Sequence, residues 1–169
     1  MKKSTAIIIF IVYLASIVLI GFFGIRAKAY DVQKYVKKIE MNVEAENETM
    51  FAFENLGKES TTKNNYYKLV VYMDQALSGE FEVDGIKEEK KYVPLTLIPN
   101  ITYDNGEKDV KGESIKYSIS KPELIEKNYV SLNNVGVLTC FRKTGFTIYV
   151  NPASASGVGT GAIIDVYVI

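Results

Sequence analysis

The chain has 169 residues, 47% of them apolar and 24% charged, with 20 basic and 20 acidic side chains, no His, no Trp and one Cys. The missing His and the lone Cys140 remove His-based catalytic triads, most metal sites and any intrachain disulfide framework. The zero formal charge hides an asymmetry: Lys2, Lys3, Arg26 and Lys28 occupy the first 29 residues with no acid, leaving 16 basic against 20 acidic residues, a net of −4, from Tyr30 onward. A mildly acidic body argues against a nucleic-acid binder, which needs a basic stripe to displace counterions.

Residues 6–25 are apolar except for Ser16. A helix of that length rises about 30 Å, enough to cross a bilayer core. Two readings fit residues 1–29. One is an uncleaved signal anchor, a transmembrane helix. The other is a cleaved secretory signal ending at Ala27-Lys28-Ala29, a small-x-small site. The anchor is favoured, because the run exceeds the roughly 7–15 residues of a signal core and because Arg26 and Lys28 put charge at the cleavage site.

Orientation rests on opposing signs. Arg26, Lys28, Lys34, Lys37 and Lys38 outnumber Lys2 and Lys3, which by the positive-inside rule favours a cytoplasmic body. The very short N-terminal tail and the nature of the body favour the opposite. The expectation is a single-pass protein of the cell membrane with its body extracellular, against the basic flank. The only Cys lies far from the apolar run, so there is no lipobox.

Residues 30–36 read as a linker, and residues 37–169 as one β domain. Alternation of Ile39, Met41, Val43 and Ala45 with polar residues is the strongest strand signal. Further strands are expected at 50–54, 66–73, 92–98, 115–119, 123–126, 129–132, 137–142, 146–150 and 162–169. Asp84-Gly85, Asp104-Asn105-Gly106, Asn133-Asn134-Val135-Gly136 and Lys143-Thr144-Gly145 supply turn chemistry between them. Residues 56–65 read as an exposed loop, Glu88-Glu89-Lys90-Lys91 as a mixed-charge turn, and 74–77 as at most one helical turn. Short, regularly spaced strands predict a β-sandwich. About 135–140 residues can bury a core without disulfides. Abundant Lys, Ile, Asn and Tyr with only Arg26 and Arg142 is the composition of AT-rich coding, hence of a low-GC bacterium.

Four stretches carry a family resemblance: Ile98-Pro99-Asn100-Ile101-Thr102, Ile115 through Ser120-Lys121-Pro122 to Ile125, Val135-Gly136-Val137-Leu138-Thr139-Cys140, and Lys143-Thr144-Gly145-Phe146-Thr147-Ile148-Tyr149-Val150. Together residues 97–169 resemble the bacterial immunoglobulin-like domain, group 2. Tyr117 stands at that family's central aromatic, and an inserted loop, 152–161, displaces the last strand. The resemblance implies an immunoglobulin-like β-sandwich of the kind borne by bacterial surface proteins for adhesion or spacing.

Each sharper motif has a plainer explanation. Gly157-Val158-Gly159-Thr160-Gly161-Ala162 resembles a phosphate loop. The segment after it alternates like a strand rather than opening a helix, so a hairpin loop is expected. Asp104-Asn105-Gly106-Glu107-Lys108-Asp109 offers oxygens for calcium but lacks EF-hand spacing and carries Lys108, so it reads as a turn. Cys140 has no His to make its thiolate and reads as a small core residue. No particular Ser/Lys pair is marked as a dyad. Glu80 and Glu82 share one face of a strand whose other face carries Phe81 and Val83, the pattern of a solvated sheet face. Asn47-Glu48-Thr49 and Asn100-Ile101-Thr102 match glycosylation acceptors and are incidental in a bacterial chain. Among twelve Tyr, Tyr67, Tyr149 and Tyr167 are expected on an outer sheet face, where Tyr also suits recognition.

No catalytic, cofactor-binding or metal-ligating residue emerges. The expected function is non-enzymatic: a membrane-anchored structural or adhesion module of a bacterial envelope, whose partner is an envelope protein or a cell-wall glycan. The last strand, 162–169, is expected to offer an open edge for pairing. A pilin-like or secretion-apparatus subunit is the rival plan, and residues 6–25 lack the Glu that pilins carry there.

Overall fold

Period-two alternation builds eleven strands in a computed structural model that describes residues 36–62, 64–83, 85–103, 106, 108–109, 115–153 and 161–169. The chain divides between Lys34 and Tyr35. The apolar run 6–25, the Ala27-Lys28-Ala29 site and most of the 104–109 turn and the 157–162 loop lie outside the described residues. Among the described residues no helix is long and apolar enough to cross a membrane.

The strands are β1 (Val36–Glu44), β2 (Phe51–Lys58), β3 (Asn65–Val71), β4 (Leu77–Val83), β5 (Ile86–Tyr103), β6 (Lys108–Asp109), β7 (Ile115–Ile119), β8 (Val130–Leu132), β9 (Val137–Cys140), β10 (Thr144–Pro152) and β11 (Ala162–Val168). They form an all-β body of two sheets. One has the order β1-β5-β9-β8, with β4 and β6 also pairing with β5. The other runs β2-β3-β11-β10-β7, with β3 parallel to β11 and the remaining pairs antiparallel.

The inner faces follow from the alternation. Val93, Leu95, Leu97 and Ile101 of β5 meet Tyr67, Leu69 and Val71 of β3, Ile148 and Val150 of β10 and Ile164 and Val166 of β11 in one core. Each fully covered Val, Leu or Ile contributes roughly 1.5–3 kcal/mol. Side chains of the second sheet also reach the first. Among the described residues β1 pairs only with β5, so half of its amides and carbonyls turn away from that ladder. The Tyr67 hydroxyl accepts the Met41 N–H at 3.1 Å, and Asn65 Nδ2 donates to the Ile39 carbonyl at 2.5 Å. These two bonds blunt what would otherwise be an open edge. Farther across, the Tyr117 hydroxyl donates to the Leu97 carbonyl at 3.3 Å.

Several expectations are corrected. Residues 123–126 form one helical turn, α1 (Glu123–Glu126), not a strand. Only Leu124 of the four is buried, so the segment needs one inward side chain rather than an alternating face. The Leu124 amide bonds the Lys121 carbonyl, and Asn128, at φ +54°, ends the turn. Glu88 to Lys91 are strand, because β5 runs unbroken for 18 residues and its first half pairs with β4. The loop expected at 56–65 starts only at Glu59, since β2 extends to Lys58 through a bulge between Asn55 and Gly57. β11 is not an edge. It lies between β3 and β10, its neighbours over its whole length. The turn expected at 74–77 lies slightly earlier, as a 3-10 turn over Met73–Gln75, and Leu77 opens β4.

Candidate functional site

The outer face of the five-stranded sheet is set by the same alternation that fills the core. β11 buries Ala162, Ile164, Val166 and Val168, so Ile163, Asp165 and Tyr167 point outward. Register then fixes the rows. Tyr66, Ile163 and Tyr149 lie side by side on β3, β11 and β10, and Lys68, Asp165 and Thr147 form the next row. Of the three tyrosines expected outside, Tyr149 and Tyr167 are there, 40% and 46% exposed. Tyr67 is buried at 2%, and its neighbour Tyr66 takes the outer place.

Asp165 is the polar centre of this face. Tyr66 donates its hydroxyl to Oδ2, and Thr147 Oγ1 donates to Oδ1 at 2.8 Å. The carboxylate is thereby held in one orientation with both oxygens engaged. The bond to Asp165, followed by desolvation, pushes the Tyr66 phenol up to about 12. Lys68 Nζ stands 5.8 Å from the centre of the Tyr167 ring.

One wall is a loop organised around Glu59. Its carboxylate accepts the Thr61 hydroxyl, the Thr62 N–H at 2.6 Å and the Thr62 hydroxyl at 2.7 Å. The hydroxyl bonds from Thr61 and Thr62 hold Glu59 down at about 2. Lys58 and residues 59–62, with Tyr66, Thr147, Tyr149, Ile163 and Asp165, enclose an open groove of about 600 Å³.

The groove combines two phenol rings, Tyr149 exposed and Tyr66 half-buried, with hydroxyls and a fixed carboxylate. Rings cover apolar C–H surface, and the hydroxyls and carboxylate hydrogen-bond polar groups, the combination suited to a neutral polyhydroxylated ligand. General acid–base work needs a group titrating near the operating pH. Glu59 is ionised and Tyr66 neutral throughout the physiological range. Among the described residues, no three His, Cys, Asp or Glu side chains are grouped to hold a metal. Glu80 and Glu82 lie exposed on the β4–β5 hairpin, and Lys87 Nζ is 3.4 Å from Glu80. Cys140 is fully buried, and burial pushes its thiol up to about 12.

The raised phenols predict an alkaline signature. Burial also raises Tyr117 to about 12, against roughly 10 in an unfolded chain. A group raised in the folded state adds stability fully below the unfolded value and loses it as pH climbs to the folded one. Stability to denaturant should therefore fall between about pH 10 and 12. Tyrosinate absorbance should show a late step for Tyr66 and Tyr117, and a single step near pH 10 for every Tyr would contradict these environments.

No family model matches the chain, and neither a curated protein nor a solved structure does so.

Proposed function

We propose that the chain is a non-enzymatic binding module of immunoglobulin-like architecture, held at a bacterial cell membrane by residues 6–25 with its body extracellular. The orders β1-β5-β9-β8 and β3-β11-β10-β7 support the immunoglobulin-like reading. In such sandwiches the first, second, fifth and fourth strands share a sheet, and the third packs with the last two. Here β3, parallel to the last strand, adds to the second sheet as a divided first strand would, and β2 pairs outside it. The likeness of residues 97–169 to the group 2 bacterial domain points the same way. Gly136-Val137-Leu138-Thr139 forms the turn into β9, and Lys143 to Val150 lead into and along β10.

The observation that carries the binding role is the groove over Tyr66, Ile163 and Tyr149, floored by the fixed Asp165 carboxylate. Its ligand is a cell-wall glycan, whose sugar faces stack on Tyr149 while ring hydroxyls meet Thr147 and Asp165. A protein partner pairing along β11 is less favoured, because β11 is paired on both sides.

Retention of the full-length protein, in neutral detergent, on purified cell-wall sacculi tests this. Tyr149→Ala should weaken retention about fivefold, the loss of an aromatic contact on the order of 1 kcal/mol. Tyr149→Phe should retain binding. Equal retention by wild type and Tyr149→Ala, or no retention of either, would refute the glycan role.

A further inference from the structure

A second concavity lies at the joint between the β4–β5 hairpin and the end of the sheets. Lys90, Lys91, Lys127, Asn128, Phe141 and Arg142 line about 280 Å³ there. Four of the six carry positive charge and none is acidic, in a body whose net charge is negative. We infer that this is a phosphate site, taking one phosphodiester group of a soluble anionic polymer.

Solvated lysines on a sheet face are common and carry no such meaning. This cluster differs in being built. Phe141 is fixed by edge contact with Phe81 at 5.2 Å, and Phe81 by Tyr92 at 5.0 Å, so the hairpin base is clamped to the loop after β9. The Phe141 N–H bonds the Tyr129 carbonyl at 2.8 Å, and the Arg142 guanidinium lies 5.3 Å over the Tyr129 ring. That stack orders the guanidinium before any ligand arrives, which lowers the entropy lost on binding. The Asn128 backbone, at φ +54°, shapes the neighbouring turn. The Lys90 side chain is only 26% exposed, and it pairs at 3.1 Å with Glu88, two residues away on its own strand and 53% exposed. Such a partner exchanges readily for a better anion.

The chemistry that fits is a tetrahedral oxyanion: a guanidinium fork for two oxygens and ammonium groups for the rest. The volume falls below the roughly 300 Å³ of the smallest drug-sized pockets, so it suits one phosphodiester with its flanking carbons. A bilayer surface would instead be met by a broad basic face with several exposed apolar side chains. Here the charge lines a recess, with Ile125 as the one exposed large apolar residue on the adjoining helical turn. Its lining shares no residue with that of the tyrosine groove.

The test is binding of full-length protein, in neutral detergent, to a soluble poly(glycerol phosphate) chain. Binding is expected, weakening several-fold as salt rises from about 0.05 to about 0.2 M. Joint replacement Lys127→Gln and Arg142→Gln should weaken it about tenfold. The charge-matched pair Lys37→Gln and Lys116→Gln, away from the cavity, should change it less than about twofold. Arg142→Lys should fall between wild type and the double variant, because it keeps the charge and loses the fork. Retention on sacculi stripped of phosphate polymer should be untouched by Lys127→Gln and Arg142→Gln, which also reports that they fold. Equal loss from both charge pairs would overturn the site in favour of diffuse attraction. Absence of binding would overturn it outright. Capture by phosphatidylglycerol vesicles with the same residue dependence, and none by the polymer, would overturn the polymer assignment.

Discussion

Gly136→Ala is expected to cost about 3 kcal/mol or more of folding stability, the sum of backbone strain and overpacking. Gly136 sits at φ +87° in the turn before β9, a conformation that L side chains resist. A Cβ there would lie 2.6 Å from the Leu97 carbonyl oxygen and 2.8 Å from the Tyr117 hydroxyl. The first contact is backbone and cannot swing aside, because Leu97 is also bonded through its own N–H to the Gly136 carbonyl at 2.8 Å. The substitution therefore separates β5, β9 and β7 at the point where the two sheets touch. Gly85→Ala is the internal comparison. It has φ +81° with no atom within 4 Å of the added Cβ, so only the backbone term remains, about 1–2 kcal/mol. Denaturant unfolding of both variants reads the difference. Equal losses would mean that the close approach at Gly136 does not exist.

The next largest effect is expected at Tyr67. Its ring is 2% exposed and stacks on Phe53 at 5.2 Å, while its hydroxyl serves the Met41 amide in the other sheet. Tyr67→Ala removes ring and bond together and should cost about 3–5 kcal/mol. Tyr67→Phe keeps the packing but strands the Met41 N–H, which should cost about 1–3 kcal/mol. The Phe variant is the informative one. A neutral result would show that the Met41 amide finds another partner and that Tyr67 contributes as a hydrophobe alone. Amide exchange at Met41 checks the same point residue by residue, since protection there depends on the phenol oxygen.

Much of this architecture was legible in the residues because period-two alternation survives wherever one strand face is wet. β1, β3, β7 and β11 fall close to their expected places for that reason. Alternation is weaker evidence where a strand leaves the sheet plane. Among the described residues the first half of β5 pairs only with β4, and it carries Glu88, Glu89, Lys90 and Lys91, so its charges imitate a turn. Residues 123–126 fail differently. Four residues are too few to separate period two from period 3.6, and the Asn128 left-handed stop is the signal that was available.

The groove was legible in part. Tyr149 and Tyr167 alternate with buried neighbours, and their outward direction follows. Tyr66 and Tyr67 are adjacent, so the phase of β3 decides between them. That phase is set by register with β11, a partner 97 residues away at Tyr66 and Ile163. Asp165 sat in plain view inside an alternating strand, but its role depends on Tyr66 and Thr147 arriving from two other strands. The basic recess is likewise a product of three separate segments, none of which is basic enough alone to stand out.

The most direct test of the extracellular binding role is the side of the membrane on which the body stands. Val135 is 74% exposed in the turn before β9, whereas Cys140 is fully buried with its thiol held protonated far above neutral pH. Val135→Cys therefore introduces one reactive thiol into a chain whose native one is silent. A membrane-impermeant maleimide should label this variant equally on intact and lysed cells and should leave the wild type unlabelled in both. Labelling that appears only after lysis would contradict the account. It would mean that Arg26, Lys28, Lys34, Lys37 and Lys38 hold the body in the cytoplasm, where a cell-wall glycan cannot be its ligand.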